Sequence, residues 1–182
     1  AHRYFQRWVR AGVFKRLWQA GLSAYDEVKG IAWQWQAADG AMTKAPFGGE
    51  KTGKNPTDRG KTGTKRSLLV DEQGVPLGIV VSGANTPDGR LLEPTLLAVP
   101  IERPDPEATA QHLCLDKGYS GKPCTTVAEA AGYTVHVPDK VNAKKTQAPA
   151  RTPGSPTLDC RSGAFMAQSF SAFAGPLGEK GQ

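Results

Sequence analysis

The sequence predicts a mixed α/β domain whose elements run β-β-β-α-β-α-β, with a helix ahead of it and a disordered tail behind. Three observations carry this. Short apolar runs of strand length, bounded by Gly, Pro or Asp, recur between Trp33 and Pro138. The later runs are separated by helix-forming stretches, the alternation that sets strands parallel. From Thr146 onward the chain turns to Pro, Ser, Gly and Ala, with no apolar period able to cover a sheet. The chain therefore divides into a basic helical segment (1–30), a core (31–145) and a tail (146–182).

Composition bounds what such a domain does. A chain of 182 residues suits one domain with its own core. Lys and Arg number 23 against 17 Asp and Glu, a formal charge of +6, and the pI is about 9.3. That balance favours a polyanionic partner. No apolar run has membrane-spanning length and no signal-peptide core opens the chain, so the expectation is a cytoplasmic protein without a membrane partner. Cys114, Cys124 and Cys160 form no CxxC pair and read as reduced thiols. His2, His112 and His136 are scattered along the chain, which speaks against a zinc site.

Taken in order, the first element spans about His2 to Val28. There Phe5, Trp8, Val9, Val13, Leu17 and Trp18 recur near helical spacing, with Arg3, Arg7, Arg10, Lys15 and Arg16 between them. Such a helix either lies on nucleic acid or packs on the core with a basic solvated face, and the second reading is favoured because basic helix surfaces are common. It opens in mid-pattern with neither cap nor Met, which reads as an internal start. Apolar and polar residues then alternate from Trp33 to Ala37, a half-buried strand ending on Asp39-Gly40.

Pro46 to Arg66 is dense in Gly, Lys and Thr. Gly48 to Lys54 has the spacing of a phosphate loop, but Asn55 replaces the magnesium-binding hydroxyl and Pro56 opposes the helix start, so an ATP site is rejected. A flexible basic loop bearing Lys51, Lys54, Arg59, Lys61, Lys65 and Arg66 suits contact with a phosphate backbone better. Ser67–Val70, a turn at Asp71–Gly74, and Val75–Ser82 form a hairpin. Asp88 has the position of an N-cap for a helix from Leu91 to Val99, with Pro94 near its first turn. A strand at Leu113–Asp116, a helix at Thr125–Ala131 and a strand at Tyr133–Pro138 complete the core. The first and fourth strands are expected to be neighbours, bringing Asp39 and Asp116 together at one sheet edge. Each aspartate ends an apolar strand and is followed closely by Gly, so each is either a rigid mount for a metal ion or a turn residue.

The motifs Trp-x-Trp-Gln-x-x-Asp-Gly-x-Met-x-Lys-Ala-Pro-x-Gly-Gly-Glu-Lys-Thr-Gly, Asn-Pro-Thr-Asp-Arg-Gly-Lys, Thr-Lys-Arg-Ser-Leu-Leu, Gly-Val-Pro-Leu-Gly and Leu-Cys-Leu-Asp-Lys-Gly-Tyr follow one another from Trp33 to Tyr119. In that order they resemble DDE transposases of bacterial insertion sequences, in the branch usually numbered five, and the resemblance covers roughly His2 to Val137. It implies a ribonuclease-H-like core in which three carboxylates hold two Mg2+ (or Mn2+) ions for phosphodiester cleavage and strand transfer. Asp39 matches the first carboxylate and Asp116 the second. Lys44 and Lys117, which belong to the same motifs, join the basic loop residues as expected DNA contacts. The implied partners are transposon ends and target DNA, with self-association or pairing with a full-length transposase, near the nucleoid. Most of the family's N-terminal DNA-binding helices have no match here, and Pro87 stands where many relatives carry His.

The resemblance places the third carboxylate on a helix after the last strand, reading roughly Arg-Trp-x-Val-Glu and then Ser-Trp-x-Asn-Arg-Phe. Residues 146–182 contain no such run; Glu129 falls on the helix between strands and Glu179 among Gly and Pro. Back-translating Thr157–Glu179 and reading from the second base of each codon is compatible with that motif, with the Glu codon straddling Arg161 and Ser162. The tail therefore reads as an out-of-frame translation of the catalytic helix. The expectation is a transposase catalytic-domain fragment, inactive for want of its third ligand. The alternatives are a non-catalytic DNA-binding fragment that inhibits the full-length enzyme, or one product of a programmed frameshift.

Overall fold

A computed structural model describes residues 2–138. The N-terminal segment is two helices, α1 (His2–Arg10) and α2 (Val13–Lys29), rather than the single expected one. The break falls at Gly12, whose φ of 67° is left-handed backbone that glycine adopts without steric cost. Across the break Phe14 packs on Phe5 and Trp8. No residue of α1 is buried. By contrast α2 carries Leu22 into the main core, with Trp18 and Tyr25 packed beside it. The favoured expectation of a helix docked on the core therefore holds for α2, and the packing crosses the expected boundary at residue 30.

The sheet contains β1 (Trp35–Lys44), β2 (Gly53–Lys54), β3 (Thr62–Asp71), β4 (Pro76–Gly83), β5 (Gln111–Leu115) and β6 (Tyr133–His136). Its order is β2-β3-β1-β5-β6, with β4 also paired to β3. β1 and β3 run antiparallel over their whole length, from Gln36↔Asp71 to Lys44↔Gly63. β3 and β4 form the expected hairpin. Its turn is tied by Asp71, whose carboxylate accepts hydrogen bonds from the backbone N–H of Gln73, Val75 and Ala32. β5 lies parallel to β1 and to β6, so the expected adjacency of the first and later strands is observed.

Between β4 and β5 runs α3 (Asp88–Leu97), and between β5 and β6 runs α4 (Lys122–Ala130). Leu92 and Leu96 of α3 and Ala128 of α4 meet Leu69, Leu77, Leu113, Leu115 and Tyr133 in one buried cluster. A smaller cluster of Ala37, Leu68, Val70 and Cys114, with Trp35, occupies the opposite face.

Several expected boundaries move. Trp33 and Gln34 form a turn before β1, so Trp33 joins the helix-side core and Trp35 the opposite cluster, whereas strict alternation would put both on one face. β1 runs on to Lys44, which places Asp39 inside the strand. The basic stretch is not a loop throughout: β2 forms at Gly53–Lys54, and Lys65 and Arg66 belong to β3. α3 begins at Asp88 with Pro87 at the cap position, so Asp88 is the first helical residue and caps nothing through its side chain. Pro94 therefore falls well inside the helix. Cys124 is a free thiol and Cys114 is disulfide-bonded, which corrects the expectation of three reduced thiols. The tail and its proposed frame shift lie outside the described residues. No helix among the described residues is long and apolar enough to cross a membrane.

Parallel pairing one strand apart also brings His112 of β5 against His136 of β6, with Nδ1 and Nε2 3.0 Å apart and Trp35 stacked on His112. Both imidazoles titrate below their ordinary range, His112 because burial penalises its charged form and His136 because burial and the neighbouring ring both do. The unfolded chain therefore binds more protons than the folded one as pH drops through about 6.5, and stability falls with acidity there. We expect the melting midpoint to drop between pH 7 and 5 and the slope to flatten in His136→Gln. An equally steep slope in that variant would assign the acid sensitivity elsewhere.

Candidate active site

The first aspartate owes its place to the sheet register. Trp35–Ala38 of β1 pair in parallel with His112–Leu115 of β5, ending at Ala38↔Leu115. Asp39 and Asp116 are the next residues along their chains, and neighbouring strands lie about 4.8 Å apart. β5 stops at Leu115, whereas β1 continues to Lys44 paired only with β3. From Asp39 onward the β5-side edge of β1 is thus open, and both aspartates stand at that opening.

Asp39 is half-buried and Asp116 is exposed at the start of a 3₁₀ turn, Lys117–Tyr119. Burial raises the Asp39 pKa above the ordinary carboxylate range. A hydrogen bond from the Gly40 N–H (2.6 Å) opposes that rise, as does Lys65, while the charges of Asp116 and Asp88 add to it. An aspartate held near two other carboxylates and one ammonium is an electrostatically crowded group.

Two members of that surrounding were not singled out for the site from sequence. Lys65 was read as a loop contact for nucleic acid. It is 6 % exposed on the α3 side of β3, with its Nζ 3.0 Å from Asp88 Oδ1. Asp88 comes from the first turn of α3, and its carboxylate lies against the Cα of Gly40, where a Cβ would collide with it. Gly40 therefore serves close approach of α3 to β1. Tyr119, 1 % exposed, lies beside the group: the charges of Asp88 and Asp39 act on its hydroxyl, and a hydrogen bond with Ser67 opposes them. Burial first, then Asp88, drives its pKa far up, so the phenol stays protonated.

Of the remaining expected DNA contacts, Lys44, Lys51, Lys54, Arg59 and Lys61 lie toward the far end of β1–β3. Lys44 at the end of β1 lies 3.5 Å from Asp58, and Lys61 lies 4.0 Å from the same carboxylate. Lys51, Lys54 and Arg59 are exposed in the same region, Arg59 with a φ of 49°. Arg66 is half-buried on β3, on the face opposite Lys65 by strand alternation. Lys117 is exposed beside Asp116.

As a cation site the arrangement fits in part. Asp39 and Asp116 are hard oxygen donors at one open edge, the donor type that divalent magnesium and manganese take. Yet no group of three or more His, Cys, Asp or Glu side chains is gathered closely enough to hold a metal among the described residues. Two carboxylates suit one cation and leave a second unheld.

Comparison with known proteins now adds to the geometry. The family described as "Transposase DDE domain" matches residues 36–169, a range that runs past Thr157 into the stretch read as out of frame. Over 54 residues the chain is 43% identical to the putative transposase for insertion sequence element IS402 of Burkholderia cepacia. That stretch is 30% of this chain and 26% of the relative, so the match spans about a quarter of that protein.

Proposed function

The chain belongs to the transposase DDE domain family, and from that membership we propose that it is a catalytic-domain fragment for DNA transposition. Asp39 and Asp116 are its first two metal-binding carboxylates, and the fold is ribonuclease-H-like. The observation that carries the reading is the parallel register ending at Ala38↔Leu115, which sets the two family-matched aspartates side by side at an open strand edge. The sheet order and the helices α3 and α4 between parallel strands support the fold assignment.

In this reading the chain's own residues divide the work. Asp39, rigid within β1, and Asp116, at the mouth of β5, hold Mg2+ or Mn2+ at the edge. The buried core beneath them fixes their separation. Lys44, Lys51, Lys54, Arg59, Lys61, Arg66 and Lys117 neutralise and orient the DNA backbone. Bound there, divalent ions would supply Lewis-acid activation of a hydroxyl and charge stabilisation at a phosphodiester oxygen. The second ion requires a third carboxylate of the family's type, and residues 146–182 contain no run matching its motif. We therefore take this chain as one that binds DNA without cleaving it, acting at bacterial transposon ends alone or paired with a full-length transposase. The family match beyond Thr157 weighs against placing the frame shift as early as that residue.

Binding should be electrostatic and nearly indifferent to sequence. With about four backbone phosphates neutralised, affinity for duplex DNA is expected to fall roughly a hundredfold between 50 and 200 mM salt. The triple variant Lys51→Glu, Lys54→Glu, Lys61→Glu should bind more weakly and show a shallower salt slope. Affinity that ignores both salt and these substitutions would remove the proposed interface.

A further inference from the structure

The sheet has two apolar faces, and the described helices cover one of them. Leu22 of α2, Leu92 and Leu96 of α3 and Ala128 of α4 all belong to the larger cluster. On the opposite face Ala37, Leu68, Val70 and Cys114 are nonetheless only 1–3 % exposed. Every member of that cluster, Trp35 included, lies on β1, β3 or β5. Side chains on one face of a sheet stand side by side, so their tips stay wet unless a second layer crosses them. No helix among the described residues supplies that layer. An independent observation points to its source. Cys114, a member of the cluster, is disulfide-bonded, and Cys124 is free. The chain has three cysteines, which leaves Cys160 as the partner within the chain.

We propose that residues 160–173 are this layer: Cys160 bonds to Cys114, and Phe165, Met166, Phe170 and Phe173 lie across Ala37, Leu68 and Val70. A second copy of the chain is the poorer occupant, because a sulfur 3 % exposed is out of reach of another molecule's thiol. The tether suffices. His136 of β6 pairs with Cys114, so the chain leaves the sheet beside that cysteine. Residues 139–159, at up to about 3.3 Å each, then reach any point of the face. The family match, which runs to residue 169, carries the domain through Cys160 as well. These residues have no apolar period of their own, so the bond supplies the register that pattern does not. By strand alternation Asp39 follows Trp35 and Ala37 on this face, which sets the layer beside the two aspartates. Forming the bond takes two electrons and two protons from the thiols and gives them to a small-molecule disulfide, which leaves as two thiols. A reducing compartment reverses that exchange and leaves apolar contact alone to hold the segment.

The test uses the full 182-residue chain equilibrated with oxidised glutathione. One portion is alkylated with iodoacetamide in urea and digested with trypsin without reductant. Cleavage after Lys117, Arg151 and Arg161 puts the three cysteines on separate peptides. Mass spectrometry should find the Cys114 peptide joined to the Cys160 peptide, with Cys124 alkylated. A second portion is digested while folded. Cleavage after Arg161 should be at least about tenfold slower than in a synthetic peptide of residues 152–173, as for a segment that must open before it is cut. The double variant Phe170→Ser, Phe173→Ser should keep the bond and lose most of that protection. Cys114 joined to Cys124, joined to a second chain, or alkylated overturns the pairing. Arg161 cut as fast in the folded chain as in the peptide overturns the layer, even with the bond present. Protection unchanged in the double variant removes the aromatic contact with the sheet.

Discussion

No DNA cleavage is expected from this chain in Mg2+ or Mn2+, and cleavage is expected once the reading frame of the family's third-carboxylate motif is restored. Asp39 and Asp116 stand together at the open edge of β1. Two-metal phosphoryl chemistry needs a second ion held about 4 Å from the first, and no further carboxylate gathers at the site among the described residues. The frame-restored chain would supply both a Glu and a helix to carry it. Ser162→Glu supplies the charge without the rest of the family's motif and should stay inactive. The three proteins, each joined to the same sequence-specific DNA-binding segment, are to be compared on transposon-end substrates. The restored chain should exceed the others by at least about a hundredfold, the scale on which one positioned charge-stabilising group changes an enzymatic rate. Cleavage by the parent chain that disappears in Asp116→Ala would show a working third ligand already present and sink the inactivity reading. The nucleotide sequence of this region separates the remaining alternatives, since a slippery run of A or T favours a programmed shift.

Leu69→Ala should cost about 2–5 kcal/mol of stability. Leu69 is fully buried in the cluster where α3 and α4 meet the sheet, among Leu77, Leu92, Leu96 and Leu113. Deleting its branched end removes apolar contact and leaves a void that the surrounding elements would have to move to fill. Domains of this size are stable by about 5–15 kcal/mol in all, so the loss is a large share of the total. Urea unfolding should show the midpoint falling with the slope unchanged. The control is Phe47→Ala: that ring is 100 % exposed and its removal should stay within about 0.5 kcal/mol. A Leu69→Ala loss below about 1 kcal/mol would mean that α3 and α4 do not close over the sheet as described.

Much of this molecule is written in local pattern. The hairpin of β3 and β4, the helices α3 and α4, and β5 and β6 announce themselves through apolar runs and turn residues, because periodicity is a property of adjacent residues. Asp39 and Asp116 were legible for the same reason: each follows an apolar run, and element order alone makes those runs neighbours. What pattern missed depends on contacts between distant segments. Whether Trp33 shares a face with Trp35 is decided by a two-residue turn, and Gly12 breaks a helix that spacing alone would continue. His112 and His136 look scattered until parallel pairing sets them 3.0 Å apart. Lys65 looks like one cation in a basic loop, and Asp88 like a helix cap. Only the antiparallel extension of β1 on β3, with α3 packed over Gly40, turns Lys65 inward and lays Asp88 beside Asp39. The sequence by itself determined most of the core elements and singled out the two aspartates that follow their apolar runs. The tertiary structure decided which charges surround them, because burial and ion pairing arise where separate elements meet, and no window along the chain contains both sides of such a contact.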